Sequence, residues 1–189
     1  MDYQELLQKK ELYGQRRASI PKITLFTFEQ AFEIEYTHNS TTIEGNTLSL
    51  IETKVLLEDG ISIGGKSLRE IYEAVNHRKA FRYVKECIGQ GMPLDERKVK
   101  DIHALLMENI QVGGGYRDVQ VYISGAGHMP PPPSMMYRQI KDFYADLSWN
   151  GKELNQVELA AWTHGEFVHT TYFFRHCKIG SIYFLSEIS

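Results

Sequence analysis

"SLREIYEAVNHRKAFRYVKECI", residues 67–88, sets the fold class of the chain. Its apolar residues recur at Leu68, Ile71, Tyr72 and Val75, and again at Val84 and Ile88. Steps of three and four hold side chains on one side of a 3.6-residue helix, so the stretch reads as a long amphipathic helix, ended by Gly89 and Gly91. The same period continues toward the C-terminus. After Pro93, Asp95 can cap a second helix with an inward stripe of Val99, Ile102, Leu105 and Leu106. "SMMYRQIKDFYADL", 134–147, puts Ile140, Phe143, Tyr144 and Leu147 on one face. A fourth helix opens at Asn155 with Glu158 at capping-box spacing and runs through Val157, Ala160, Ala161, His164 and Val168. Its place on that stripe makes His164 a hydrogen-bonded core histidine.

One segment departs from the helical period. In "GGGYRDVQVYISGAGHMPPPP", 113–133, Val119, Val121 and Ile123 alternate with Gln120, Tyr122 and Ser124, the period of a strand with one apolar face. Glycines bracket it and Pro130 to Pro133 follow, which predicts a short β-hairpin projecting from a helical body. The expected fold class is therefore all-α with one small β-hairpin. The sequence contains no internal repeat or low-complexity linker. The glycines at 89 and 91 suggest a division into an N-terminal helical lobe, 1–92, and a core, 93–189.

With 24 acidic and 21 basic side chains the chain is net −3, which argues against a general nucleic-acid binder. A hydrophobic content of 42% over 189 residues suits one globular domain, or one domain with a lobe. Cys87 and Cys177 stand too far apart to suggest a disulfide framework, and a reducing cytoplasm is the expected location. The start, "MDYQELLQKKELYGQRR", has no apolar run behind a basic head, and no stretch approaches the ~20 apolar residues of a membrane span. Neither a signal peptide nor a membrane partner is expected. Without an export signal, the sequon Asn39-Ser40-Thr41 reads as accidental.

Three stretches, in this order, resemble the Fic family (filamentation induced by cyclic AMP, or Fido). "NSTTIEGN", 39–46, is similar to the family's inhibitory-helix motif; "GGGYRDVQVYISGAGHMPPPP" to its flap hairpin; and "WTHGEFV", 162–168, to the helix that leads into its active-site loop. The flap segment is the most specific of the three. The resemblance implies a Fic-like helical bundle that transfers AMP from ATP to a Ser, Thr or Tyr hydroxyl of a target protein, with ATP and Mg²⁺ as cofactors. It also implies inhibition by Glu44, with Ser40 and Gly45 completing the motif. That glutamate would pair with the last arginine of the loop and stand where the γ-phosphate belongs. The flap residues Val119, Val121, Tyr122 and Ile123 would offer a strand edge to the target's backbone. The first of these stretches also fits a capping box at Thr41-x-x-Glu44, or a glutamate facing water, and the second a hairpin that only covers the core. The target is not identified by the resemblance, which is compatible with a homo-oligomer.

The family's loop reads His-x-Phe-x-Asp/Glu-Gly-Asn and ends on an arginine. The histidine takes the hydroxyl proton, the acid holds Mg²⁺, glycines let backbone N–H groups close on phosphate, and the arginine neutralises the outer phosphates. Here the corresponding stretch is "HTTYFFRHCKIGS", 169–181. Aligned from "WTHGEFV", the histidine position falls on Thr171, the Phe on Phe173, the acid on Arg175, the Gly on His176 and the Asn on Cys177. Aligned from "KIGS", the two arginines become Lys178 and Ser181 and the histidine falls on Thr170, one residue out of register. Only Phe173 agrees with the family. Threonine is no base near pH 7, Arg175 would repel Mg²⁺, and the chain as written is expected to be inactive or severely impaired. ATP and Mg²⁺ binding by this chain is accordingly not expected.

His169 and His176 do not repair the loop, because the acid and glycines are missing beside them. On one helix His164 and His169 would point about 140° apart, whereas zinc sites favour pairs at i and i+4, so no metal site is read from them. If Glu44 were buried without its arginine, it would be pushed toward the neutral acid. Three further hypotheses follow: a pseudoenzyme that binds its target through the flap, a metal-dependent hydrolase, and a slip of reading frame in the gene. The family usually continues past the loop with more helices, and the sequence ends at Ser189, so an incomplete core is expected.

Overall fold

The structure, a computed structural model, describes residues 3–93, 95–120, 122 and 129–170. These form seven α-helices: α1 (Tyr3–Arg16), α2 (Lys22–Ile43), α3 (Leu50–Asp59), α4 (Leu68–Gly89), α5 (Glu96–Met107), α6 (Pro133–Glu153) and α7 (Gln156–Thr170). A 3₁₀ turn, Arg17–Ser19, joins α1 to α2. Among the described residues there is no strand.

Sequence dictates most helix starts. Ser49 and Ser67 each build a capping box: the Ser67 hydroxyl accepts the Glu70 N–H at 3.2 Å, and the Glu70 carboxylate accepts the Ser67 N–H at 3.0 Å. Asp95 caps α5 through the Lys98 N–H at 2.8 Å, as its position predicts. Asn155 accepts from Val157 and Glu158, both at 3.0 Å, at the start of α7. Pro133 opens α6, where its missing N–H costs nothing. Gly60 and Gly91 adopt positive φ, 68° and 63°, just past α3 and α4, where a left-handed residue ends a helix.

Helix α4 is shared by two cores. Ala74 joins Ile34, Leu48, Leu56 and Leu57 in a cluster between α2, α3 and α4. Ala80 and Val84 join a larger one with Val99, Ile102 and Leu106 of α5, Ile140 and Phe143 of α6, and Phe167 of α7. A helix pressed from different sides along its length has no single apolar stripe. This is why Leu68, read as the head of that stripe, is 72% exposed, while Asn76 and His77 are fully buried.

The stripe of α7 needs a second correction. Its buried residues are Leu159, Ala160, Thr163 and Phe167, and His164 is exposed. The inward face is turned by about one residue, ~100°, from the expected one. Alanines at 160 and 161 fit either face and give no direction. The core histidines are instead His77 and His103.

Candidate functional site

The stretch similar to the inhibitory motif forms the C-terminal end of α2. Ser40 and Thr41 are buried there, and Glu44, the C-cap residue, is exposed. The Thr41 hydroxyl donates to the carbonyls of Thr37, at 2.9 Å, and His38, at 3.1 Å. It bonds back along its own helix and sits at that helix's end, so Thr41 and Glu44 do not form a capping box. Burial, the condition that would have neutralised Glu44, is not met. Gly45 takes φ 90°, and Asn46 donates its N–H to the Thr41 carbonyl at 3.1 Å, turning the chain off the helix.

The turn after Glu44 is fastened to α4. Asn46 is buried, and its amide donates to the Glu70 carbonyl at 3.0 Å and the Glu73 carboxylate at 3.1 Å while its oxygen accepts from Leu48 N–H at 3.0 Å. Thr47 donates its hydroxyl to Glu70 at 2.5 Å, and Lys66 donates to the Thr47 carbonyl at 2.6 Å. Hydrogen bonds from the Thr47 hydroxyl, then from Ser67, hold the Glu70 carboxyl down at about 2. One turn deeper, the His77 ring nitrogen Nδ1 lies 3.1 Å from the Thr37 hydroxyl, and the ring packs on Tyr36. Glu44 thus stands on a helix end fixed by both backbone and side chains. Sequence reasoning missed Asn46, Thr47, Lys66 and Glu70. The Ser-x-x-Glu spacing at 67–70 could have signalled the helix start, but no local signal ties it to Thr47.

The approach to the expected flap is built on α5. A Cβ at Gly113 would lie 2.8 Å from the His103 carbonyl oxygen and the Met107 Cβ, so only glycine lets the chain pass this close. Gly114 donates its N–H to His103 Nδ1 at 2.9 Å. Farther on, Arg117 is only 2% exposed and donates to the carbonyls of Val119, at 3.1 Å, and Pro131, while Gln120 donates to the Pro130 carbonyl at 3.0 Å. Prolines offer no N–H to a ladder, so side-chain donors join the two arms at their base. Val119 and Tyr122 are exposed; Val121 and Ile123 lie outside the described residues, and the β-hairpin with them.

Burial of His103 brings its imidazole down to about 4 from 6.5. The unfolded chain therefore takes up this proton at higher pH than the folded chain. Stability from this group is full above pH ~6.5, declines as pH falls toward ~4, and is lost below, a change on the order of 3 kcal/mol. Urea titrations at pH 7 and pH 4.5 should show a drop that His103→Gln reduces. An equal drop in both proteins would contradict the assignment.

The Fic/DOC family model matches residues 93–175. Over that stretch the chain is similar to this family. Protein adenylyltransferase Fic of Drosophila persimilis is 29% identical over 138 residues, 71% of this chain and 27% of its own length. The protein of the same name from Drosophila melanogaster is also 29% identical, over 28% of its length. The chain thus spans little more than a quarter of these relatives. Two solved structures share the all-α Fic fold. A Fic domain containing signaling protein from Bacteroides thetaiotaomicron has a TM-score of 0.81 at 21% identity, over 95% of this chain and 70% of its own. Fic-1 from C. elegans has a TM-score of 0.81 at 23% identity, over 99% of this chain and 56% of its own.

The family match ends at Arg175, inside the altered loop. Thr171, Phe173, Arg175, His176, Cys177, Lys178 and Ser181 lie outside the described residues, as do the contacts any of them makes with Glu44. Among the described residues no group of three or more His, Cys, Asp or Glu side chains is placed to hold a metal ion.

Proposed function

We propose that this chain carries the Fic scaffold for transferring AMP from ATP to a protein hydroxyl, held off by Glu44, with its catalytic loop disabled as written. The observation that supports the scaffold most is the end of α2: Ser40 and Thr41 buried, Glu44 exposed, and the turn locked to α4 through Asn46 and Glu70. A firmly held helix end with an exposed glutamate supports reading Glu44 as the inhibitory residue. The relatives named protein adenylyltransferases support ATP as the nucleotide and a protein as the acceptor.

The loop supports the disabled state. With Arg175 where the family has its acid, the donor set does not fit Mg²⁺, since a guanidinium offers no lone pair and repels a cation. Thr171 cannot take a proton from a hydroxyl near neutral pH. The second reading, a target-binding protein without turnover, is favoured by the Arg117 clip, which joins the flap's base through the carbonyls of Val119 and Pro131. A family match that begins at residue 93 supports starting the core there.

Calorimetry with ATP and Mg²⁺ tests this on the chain as it stands and on a version whose residues 171–181 follow the family pattern, with Glu44→Gly. Binding by the second alone is expected. Micromolar binding by the first would overturn the disabled-loop reading and return His169 or His176 to consideration.

A further inference from the structure

The face that α2 turns inward is polar. It buries Glu33, Thr37, Ser40 and Thr41, with Ile34 as its one aliphatic residue there, while Phe26 and Phe28 stay exposed. Leu56 and Leu57 of α3 and Ala74 of α4 pack around Ile34, and Phe32 and Tyr36 meet Phe81 with ring centroids 6.2 and 5.3 Å apart. One aliphatic seat and a pair of rings at the rim give α2 little reason to stop at one axial position.

Polar pairs run along the seam instead. Glu29, Glu33 and Thr37, spaced by four, meet Lys85, Arg82 and His77 of α4 in reverse order. Lys85 donates to Glu29 at 2.9 Å, Arg82 Nε donates to both Glu33 oxygens at 3.0 Å, and His77 Nδ1 lies 3.1 Å from the Thr37 hydroxyl. Glu33 is the interior member, its side chain only 11% exposed. A second guanidinium, that of Arg78, stands 3.9 Å from it and donates to the Leu57 carbonyl of α3. Burial, and after it the nearby Arg82, holds the Arg78 guanidinium below its usual range. Glu33 is the carboxylate that lets both cations stand there. A cleft of about 560 Å³ opens beside these groups, so packing does not close the seam where they bridge it.

Sliding α2 by one turn, about 5.4 Å, unseats Ile34 and strips the buried Glu33 carboxylate of its guanidiniums. A buried charge left without its partner costs far more than a lost surface contact, and polar groups inside helical seams are known to set register for this reason. Glu44 lies eleven residues farther on, about 16 Å along the same axis. The turn at Asn46 and Thr47 holds one point of α2 and Glu33 holds a second. Two points set the direction of a helix.

We propose that Glu33 is a positioning residue for Glu44: its pair with Arg82, backed by Arg78, sets the register of α2 against α4 and with it the place where Glu44 leaves the helix. This role rests on Glu44 being the inhibitory residue. The charge carries the effect, so a neutral isostere at either partner frees the middle of α2 while the Asn46 turn still holds its end.

The test has two arms. In the full chain as it stands, Glu33→Gln keeps the shape, removes the charge, and should speed backbone hydrogen exchange over residues 34–43 about 10-fold, with α5 unchanged as the sign of an intact fold. Arg82→Met should do the same, and the two together no more than either alone. The Arg82 side chain is 56% exposed, so its substitution tests the pair even if Glu33→Gln unfolds the lobe. In the chain with residues 171–181 restored, the readout is labelled adenylate entering protein. Glu33→Gln should raise it about 10-fold with Glu44 in place and not at all after Glu44→Gly, a split that general loosening does not produce. The positioning role is overturned if α2 keeps its protection in both variants, or if the effects of the two substitutions add. It is also overturned if Glu44→Gly raises incorporation and Glu33→Gln does not, an outcome that leaves the inhibitory reading standing. If neither raises it, the inhibitory reading fails and the positioning role with it.

Discussion

With residues 171–181 restored to the family pattern, Glu44→Gly is expected to raise adenylate incorporation into protein by about 10³-fold over the same loop with Glu44 in place. The magnitude follows from what the glutamate would occupy. In phosphoryl transfer one well-placed arginine is worth roughly 10³-fold or more, and a carboxylate paired with that arginine withholds it from the phosphates. The end of α2 gives Glu44 little freedom to step aside: Gly45 turns the backbone, and Asn46 and Thr47 bind α4. The measurement is labelled adenylate entering protein, the chain's own hydroxyls included. Equal rates with and without Glu44 would remove its inhibitory role. A restored loop that binds nucleotide yet transfers nothing in either background would leave target docking as the scaffold's only activity.

Phe143→Ala should cost about 3–5 kcal/mol, the largest stability loss among the positions described. Phe143 is buried at the centre of the larger core, stacked on Trp162 at 5.8 Å, edge-on to Phe167 at 5.9 Å and to Tyr144 at 5.1 Å. Truncation leaves a cavity walled by aromatic rings that cannot collapse without breaking their own contacts. For a chain of this size the melting temperature should fall by about 10 °C. A fall of only ~2 °C would mean that α6 and α7 are not packed through this ring.

How far these features were legible depended on how local their cause was. Helix starts at Asp95 and Asn155 were readable because a cap is a relation over three residues. The buried face of α7 was not, because Ala160 and Ala161 carry no direction and a threonine, Thr163, occupies a fully buried position. Burial of Asn76 and His77 in α4 was equally hidden: the Asn76 amide donates to the carbonyls of Leu106, at 3.2 Å, and Glu108, at 2.6 Å, partners more than two dozen residues away. At the candidate site the sequence named Ser40, Glu44 and Gly45 by motif. Only the folded chain brings Thr47 and Glu70 together.

Because α4 belongs to both cores, it is the beam that joins them. Its 22 residues extend about 33 Å. The end near Ser67 and Glu70 carries the turn that fixes Glu44, and the far half is packed against α5, on which the flap's approach rests. The turn that carries Glu44 and the footing of the flap's approach therefore rest on opposite ends of one continuous helix.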